Sequence, residues 1–170
     1  MIEIERKFLV IAVALMAVAM LATPVLAKSP KWIPVTLTRA GMYAGPGEYW
    51  ITEGGTRHGR DFTYGFTTYI ITGPGINLVG TSSSTFDANI NLKNGKGTWQ
   101  FESTIVFPGG TFEGQIWYGG TWVINGDQPT PVGADLVQRG VWHGTGAYRG
   151  WTFKLEMDAA HVTEAYMLIP

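Results

Sequence analysis

The sequence contains no cysteine. That excludes disulfide staples, a thiolate zinc site and a lipid-modified cysteine anchor. Charge is scarce as well: charged residues make up 15% of the chain and the formal net charge is −1. A chain this close to neutral has no electrostatic footprint for nucleic acid or for an acidic membrane surface, so neither is expected as a partner. Beyond the N-terminal segment, no stretch carries apolar residues at the 3.6-residue spacing of an amphipathic helix. Histidine is thin: His58, His143 and His161 each stand alone, without a partner two or four residues away. A metal site would have to be assembled from distant strands, so no metal ligand is assigned, and no cofactor is expected. Ser82, Ser83 and Ser84 form a polar tract without the glycine elbow of a catalytic serine.

What the chain does have is glycine (23 residues), aromatic side chains (13%) and enough apolar content (45%) to fill the core of one domain in 170 residues. That balance belongs to an all-β protein with many turns.

Residues 1–27 read as a secretory signal. Arg6 and Lys7 close a charged start, Phe8 to Leu21 is an almost unbroken apolar run, Pro24 breaks it, and Val25-Leu26-Ala27 supplies a small-x-small cleavage pattern. The run is shorter than the roughly 20 residues of a spanning helix, so the mature protein is expected to be extracytoplasmic and free of the membrane. Glu3 and Glu5 are unusual in such a start. The stretch from Glu3 to Val10 resembles the opening strand of the CYTH, or triphosphate-tunnel, family, whose Glu-x-Glu-x-Lys face binds metal and triphosphate. A tunnel of that kind needs many inward Arg, Lys and Glu residues from later strands. Downstream charges here are sparse and scattered, and that assignment is set aside.

Residues 28–170 form a single domain of successive strands. Trp32 to Arg39 opens it, with Pro34 marking an edge. Glu48 to Thr52 is short, and Glu53-Gly54-Gly55-Thr56 turns the chain towards the polar cluster Arg57-His58-Gly59-Arg60. Asp61 to Thr72 alternates, and Ile76 to Leu92 places Phe86, Ala88, Ile90 and Leu92 on one face. Asn94-Gly95 predicts a type I′ hairpin turn. Gly97 to Phe107 sets Trp99, Phe101, Ile105 and Phe107 against Gln100, Glu102 and Thr104. Thr111 to Asn125 bends at Gly119-Gly120, Gly126 to Pro131 reads as a loop, Ala134 to Trp142 is a strand, and His161 to Ile169 is the last. Between them, His143-Gly144-Thr145-Gly146 is a tight glycine turn, and Trp151, Phe153, Leu155 and Met157 share the apolar face of the strand that follows. About eight strands at short spacing predict a closed or nearly closed antiparallel barrel after an N-terminal signal helix, because closure removes exposed edges. A two-sheet sandwich has the same signature.

The segment Gly144-Thr145-Gly146-Ala147-Tyr148-Arg149-Gly150, followed by an alternating strand, resembles the Gly-Thr-Gly-x-aromatic-x-Gly turn of allene oxide cyclase and dirigent proteins. Gly110-Thr111-Phe112-Glu113-Gly114 has the same style, while His143 stands where a glycine often precedes the motif. The resemblance covers the last hairpin and implies an eight-stranded barrel with an apolar cavity. No catalytic residue of those enzymes matches a position here, so none is carried over.

Candidate ligand-binding residues follow from polarity beside aromatics. Arg57, His58 and Arg60 sit at a strand mouth, and Tyr148, Arg149 and Trp151 flank the glycine turn. The alternative for each is structural: a solvated turn, or an arginine stem packed on an indole. Glu102 and Glu113 lie on polar faces of neighbouring strands, where paired carboxylates could run acid–base chemistry. The seven tryptophans divide in two. Trp99, Trp142 and Trp151 fall on apolar faces, whereas Trp32, Trp50, Trp117 and Trp122 could line a mouth or groove. Three functions compete: a secreted lipocalin-like binder of a small apolar ligand, a cyclase-like isomerase in the same cavity, and an envelope or carbohydrate-binding module using an outer face. A large apolar cavity favours the first two, and a filled interior with surface tryptophans favours the third. An apolar outer face would mark a homo-oligomer. The signal reading makes its own prediction. Mass spectrometry of the secreted fraction should find an N-terminus at Lys28, and intact Met1 in a soluble cytoplasmic protein would overturn it.

Overall fold

The structure, a computed structural model, describes residues 30–125, 128–131, 135–157 and 163–170. The segment 1–27 read as a signal, and His161, lie outside the described residues. Eleven strands follow one another: β1 (Lys31–Pro34), β2 (Thr36–Gly45), β3 (Glu48–Ile51), β4 (Thr56–Gly73), β5 (Ile76–Asn91), β6 (Lys96–Phe107), β7 (Gly110–Asn125), β8 (Gln128–Pro131), β9 (Val137–Gly144), β10 (Thr152–Met157) and β11 (Thr163–Ile169). Among the described residues the only helical turn is a 3₁₀ turn at Gly146–Tyr148.

All pairings are antiparallel, and nine strands run side by side in the order β1-β11-β10-β9-β7-β6-β5-β4-β2, with β3 added to β4 and β8 to β7. The sheet curls into a half-barrel. Its two ends meet in one stretch of chain. Pro34 pairs with Tyr166 on one edge and Thr36 pairs with Thr72 on the other, while the Val35 N–H donates to the Ala165 carbonyl at 2.9 Å. The expected first strand, Trp32 to Arg39, is therefore shared between two edges. Pro34, which has no N–H, sits where pairing passes from one edge to the other.

The curl has local causes. β4 runs through the Arg57-His58-Gly59-Arg60 cluster expected at a strand mouth, and its ladder with β5 holds as far as the Gly59–Ala88 pair. Pairing then slips: Arg60 and Asp61 lie between the Gly59–Ala88 and Phe62–Phe86 pairs, and Asp61 takes a φ of 56°. A second slip separates Phe66 from Tyr69. Such bulges bend a strand and increase its twist, which a long strand needs in order to wrap. Glycine also permits close approach of neighbouring strands, since a Cβ at Gly114 of β7 would collide with the Val141 carbonyl of β9 and lie 2.6 Å from Trp142 Cα.

Alternation holds where it was clearest. Phe101, Ile105 and Phe107 of β6 are buried, as are Phe153 and Leu155 of β10 and Phe86, Ala88 and Ile90 of β5, whereas Leu92, expected on the same face, lies past the end of β5 in the turn and is exposed. The core falls into three contiguous clusters, around Phe112, Trp142 and Phe153, around Phe62, Phe86 and Phe101, and around Ile90, Trp122 and Leu136.

Three turns differ from expectation. At Asn94-Gly95 only glycine has positive φ, because Asp61 is the one described non-glycine residue in that region. The Asn91 and Asn94 side chains accept from Lys93 N–H and Lys96 N–H, and Gly95 N–H reaches the Asn91 carbonyl at 2.8 Å. These bonds build a longer loop in place of the two-residue type I′ turn. Within the expected loop at Gly126 to Pro131, Gln128–Pro131 pairs with Trp122 to Asn125 as a short edge ribbon. The His143-to-Gly146 turn is longer than a tight hairpin. Gly146 (φ 57°) opens the 3₁₀ turn and Gly150 (φ 88°) closes the loop. Gly144 is constrained differently, since a Cβ there would meet the Tyr148 carbonyl.

Gly146→Val should destabilise the fold by about 1–3 kcal/mol, as expected for a strained backbone position. Its new Cβ would also lie 2.5 Å from the Gly109 oxygen. Equilibrium urea unfolding measures this, and an unchanged midpoint would remove the left-handed turn from the account.

Candidate functional site

The residues singled out from the sequence part into two groups at opposite ends of the strands. Arg57, His58 and Arg60 lie at the start of β4, opposite Ile51, Trp50 and Glu48 of β3. The Arg57 guanidinium lies 4.2 Å from the Tyr49 ring centroid and is buried, His58 stacks on Trp50 at 5.2 Å, and Arg60 covers Trp50 at 5.5 Å. His58 Nδ1 also contacts Asn89 Oδ1 at 2.5 Å. Tyr148, Arg149 and Trp151 lie by the β6–β7 turn at the other end. The Tyr148 hydroxyl donates to the Pro108 carbonyl at 2.7 Å, and its ring stacks on Phe112 and meets Trp151 edge-on. Tyr148 and Trp151 thus pack against the core while Arg149 faces solvent. The structure does not bring the two groups into one site.

Between the two ends, the interior is filled by rings. Trp122 stacks on Trp99 at 4.3 Å, Trp99 on Phe86 at 4.7 Å, and Phe86 on Phe62 at 5.2 Å. Trp122, expected as a mouth or groove residue, is buried; Trp32, Trp50 and Trp117 are exposed. Farther along, polar groups interrupt the apolar lining: Ser82, Ser103 and Gln138 are buried beside Tyr64, Tyr69 and Tyr118. The space left there is about 20 Å³. A pocket for a drug-sized apolar ligand has roughly 300–1,000 Å³.

The outer face is different. Cross-strand pairing lines up Asp87, Gln100, Trp117, Arg139 and Glu156 in one row. The next row holds Thr85, Glu102, Gln115, Val141 and Lys154, and the next Ser83, Thr104, Glu113, His143 and Thr152. An open groove of about 720 Å³ lies over these rows, lined by Trp117 and by Asp61, Asp87, Gln100, Gln115 and Arg139. It adjoins a second groove of about 750 Å³ that shares Thr85, Glu102 and Gln115 and reaches Tyr43 and Glu113. A side chain at Gly119 would run into the six-membered ring of Trp117. Glycine at that position lets the indole lie down along β7, and Trp117 remains 38% exposed.

The carboxylates Glu102 and Glu113 share the second groove as diagonal neighbours, since Glu102 pairs with Gln115 and Thr104 with Glu113. The Thr111 hydroxyl donates to Glu113 at 3.2 Å, and His143, opposite Glu113, has its Nδ1 3.4 Å from the Thr152 hydroxyl. Among the described residues no three His, Asp or Glu side chains converge as metal ligands. Sequence reading missed Asp87, Gln115 and Arg139. The signal was the parity of β6 and β7, in which Gln100, Glu102 and Thr104 must face the same side as Glu113, Gln115 and Trp117.

Inside, burial pushes the Tyr118 hydroxyl up to about 12, against the opposing pull of the Arg39 guanidinium. Burial raises Tyr69 too. A raised folded-state value means that the contribution of Tyr118 is intact below its ordinary value of 10.0 and disappears as pH climbs through about 12. An ultraviolet tyrosinate titration should therefore show a late-ionising fraction whose appearance coincides with loss of structure. Tyr118→Phe should shrink that fraction. Full ionisation near pH 10 in folded protein would contradict the burial. No protein-family model, no curated protein and no solved structure matches the chain.

Proposed function

We propose that the protein is an exported module that binds carbohydrate on the outer face of its sheet, and that it is not a carrier of an apolar molecule in its interior. The observation that carries this reading is Trp117, lying along β7 over Gly119 within an open groove of planar polar side chains. An indole face is electron-rich, so it attracts the electropositive C–H face of a sugar ring. Asp87, Gln100, Glu102 and Arg139 offer the flat, directional donors and acceptors that pairs of sugar hydroxyls accept. An open, wettable groove suits a polar ligand whose bound waters bridge remaining gaps.

The filled interior supports the same reading. An apolar ligand would have to displace the Trp122–Trp99–Phe86–Phe62 stack, and the adjoining space of about 20 Å³, lined by Phe66, Trp142 and Leu155 with serine, tyrosine and glutamine between them, is too small to hold one. The sheet is best regarded as a nearly closed barrel used as a rigid platform. The signal-like segment 1–27 supports an extracytoplasmic site of action, where polysaccharides are presented.

Affinity electrophoresis in gels cast with cellulose derivatives, chitosan, xylan or mannan gives the test. At least one should retard the protein, and Trp117→Ala should weaken that retardation about tenfold or more while leaving the thermal midpoint nearly unchanged. Trp50→Ala, at the distant β3 edge, should bind as the parent does. If no polysaccharide retarded the protein while fatty acids or terpenoids quenched its tryptophan emission, the interior-carrier reading would replace this one.

A further inference from the structure

The outer face carries a second aromatic platform, built on glycine like the first. Tyr43 of β2 stands opposite Gly65 of β4, and its side chain lies across that glycine so that the hydroxyl donates to the Ser82 carbonyl of β5 at 3.0 Å. A Cβ at Gly65 would lie 2.5 Å from Tyr43 Cζ, so glycine is what leaves room for the ring. The hydroxyl bond holds the far end of the side chain against the sheet, yet Tyr43 remains 43% exposed. A ring already held in place loses little freedom when a ligand stacks on it.

The two platforms belong to one surface. Tyr43, Gly65, Ser83, Thr104 and Glu113 form a single cross-strand row, and Trp117 stands two rows farther along β7. The groove that reaches Tyr43 and the groove that holds Trp117 meet at Thr85, Glu102 and Gln115 in the row between. From β2 to β7 the path crosses β4, β5 and β6. At about 4.8 Å per strand spacing and about 3.3 Å per residue, the platforms stand roughly 20 Å apart. One pyranose unit covers about one strand spacing of ~5 Å, so a disaccharide reaches one platform and a chain of about four units reaches both. Hydroxyls of Thr63, Ser83, Thr85 and Thr104 line the way, and they donate and accept as sugar hydroxyls do. Among the described residues lining the two grooves, the carboxylates Asp61, Asp87, Glu102 and Glu113 face the single guanidinium of Arg139. That balance repels a polyanion.

We propose that the ligand is a linear polysaccharide without acidic sugars, bound through a stretch of about four or more units that runs obliquely across the strands from Tyr43 to Trp117. This rests on the carbohydrate reading above and adds to it the length, the path and the charge of the bound chain. Each platform stacks on one sugar ring, and the units between them lie over the hydroxyl and carboxylate rows. Because one chain joins two weak stacks, the second forms at high effective concentration, and affinity climbs with chain length until both are occupied. Both grooves are open, so the chain continues past either platform.

The test is a length series. Cello-, xylo-, manno- and N-acetylchito-oligosaccharides, from disaccharide to hexasaccharide, are titrated into the protein and followed by NMR. In at least one series affinity should rise about tenfold or more from disaccharide to hexasaccharide and level off once both platforms are reached. Tyr43→Ala should lower hexasaccharide affinity about tenfold while the disaccharide, seated on Trp117, binds as it does to the parent. Tyr43→Phe keeps the ring without the bond to Ser82 and should retain most of the rise. The series on the unmodified protein decides the matter even if the alanine variant fails to fold. A disaccharide bound as tightly as the hexasaccharide, with Trp117→Ala weakening both, would overturn this proposal and leave the carbohydrate reading standing. Failure of every oligosaccharide and every polysaccharide gel would remove both. Polygalacturonate and alginate should not retard the protein in gels, and preference for either over the neutral chains would overturn the proposal as well.

Discussion

The column of stacked rings that crosses four neighbouring strands, Trp122 of β7, Trp99 of β6, Phe86 of β5 and Phe62 of β4, sets the terms for the rest of the molecule. Rings this large bury more apolar surface than any aliphatic alternative, and offset stacking adds about 0.5–1.5 kcal/mol per pair beyond that burial. The column also fixes register, because a slip of one residue in any strand would turn its ring to the outside. The bulge at Arg60–Asp61 brings Phe62 opposite Phe86. Without the slip, alternation from Gly59 would face Asp61 inward instead.

A filled interior redistributes the work of the two faces. In a hollow barrel the lumen is the binding surface and the exterior need only be soluble. Here the inner face is committed to packing along much of its length, while the outer rows present Gln100, Glu102, Gln115 and Arg139 at fixed spacings set by the ladder. Placing such groups on paired strands holds them to a geometry that a loop would not maintain. The edge aromatics Tyr49 and Trp50 behave differently. They stack against Arg57, His58 and Arg60, so the polar cluster most prominent in the sequence lies against the β3 aromatics.

The strands were legible wherever apolar and polar residues alternate, as in β5, β6 and β10, because one buried face imposes a period of two. That same parity carried information about the groove. Trp117 falls on the face of Glu113 and Gln115, and Ser103 falls among Phe101 and Ile105 on the buried side. Other features had no local signature. Nothing in Thr38-Arg39-Ala40 announces that Arg39 turns inward, since its direction depends on which edge β2 joins. The loop at Asn94-Gly95 was misread because Asn91 and Asn94 hydrogen-bond the backbone themselves, a local competition that the Asn-Gly pair alone does not reveal. The glycine turn before Trp151 marked a loop correctly but not its length, which the Tyr148 anchor on Pro108 decides.

The seam at Val35 bears on how the chain acquires its shape. The residues that join there, Val35 and Ala165, stand near the two ends of the described sequence. Every hairpin from β4 to β7 can form from neighbours, but the seam must wait until nearly all of the chain is present and ordered. Contacts of such wide separation raise the entropic barrier to folding and place the protein among slow folders. During synthesis β2 can settle on β4 early, leaving β1 as an unpaired strand until β11 emerges. For that interval the nascent sheet carries an open, pairable edge, and it is then that a chaperone or a second unfinished chain would find it.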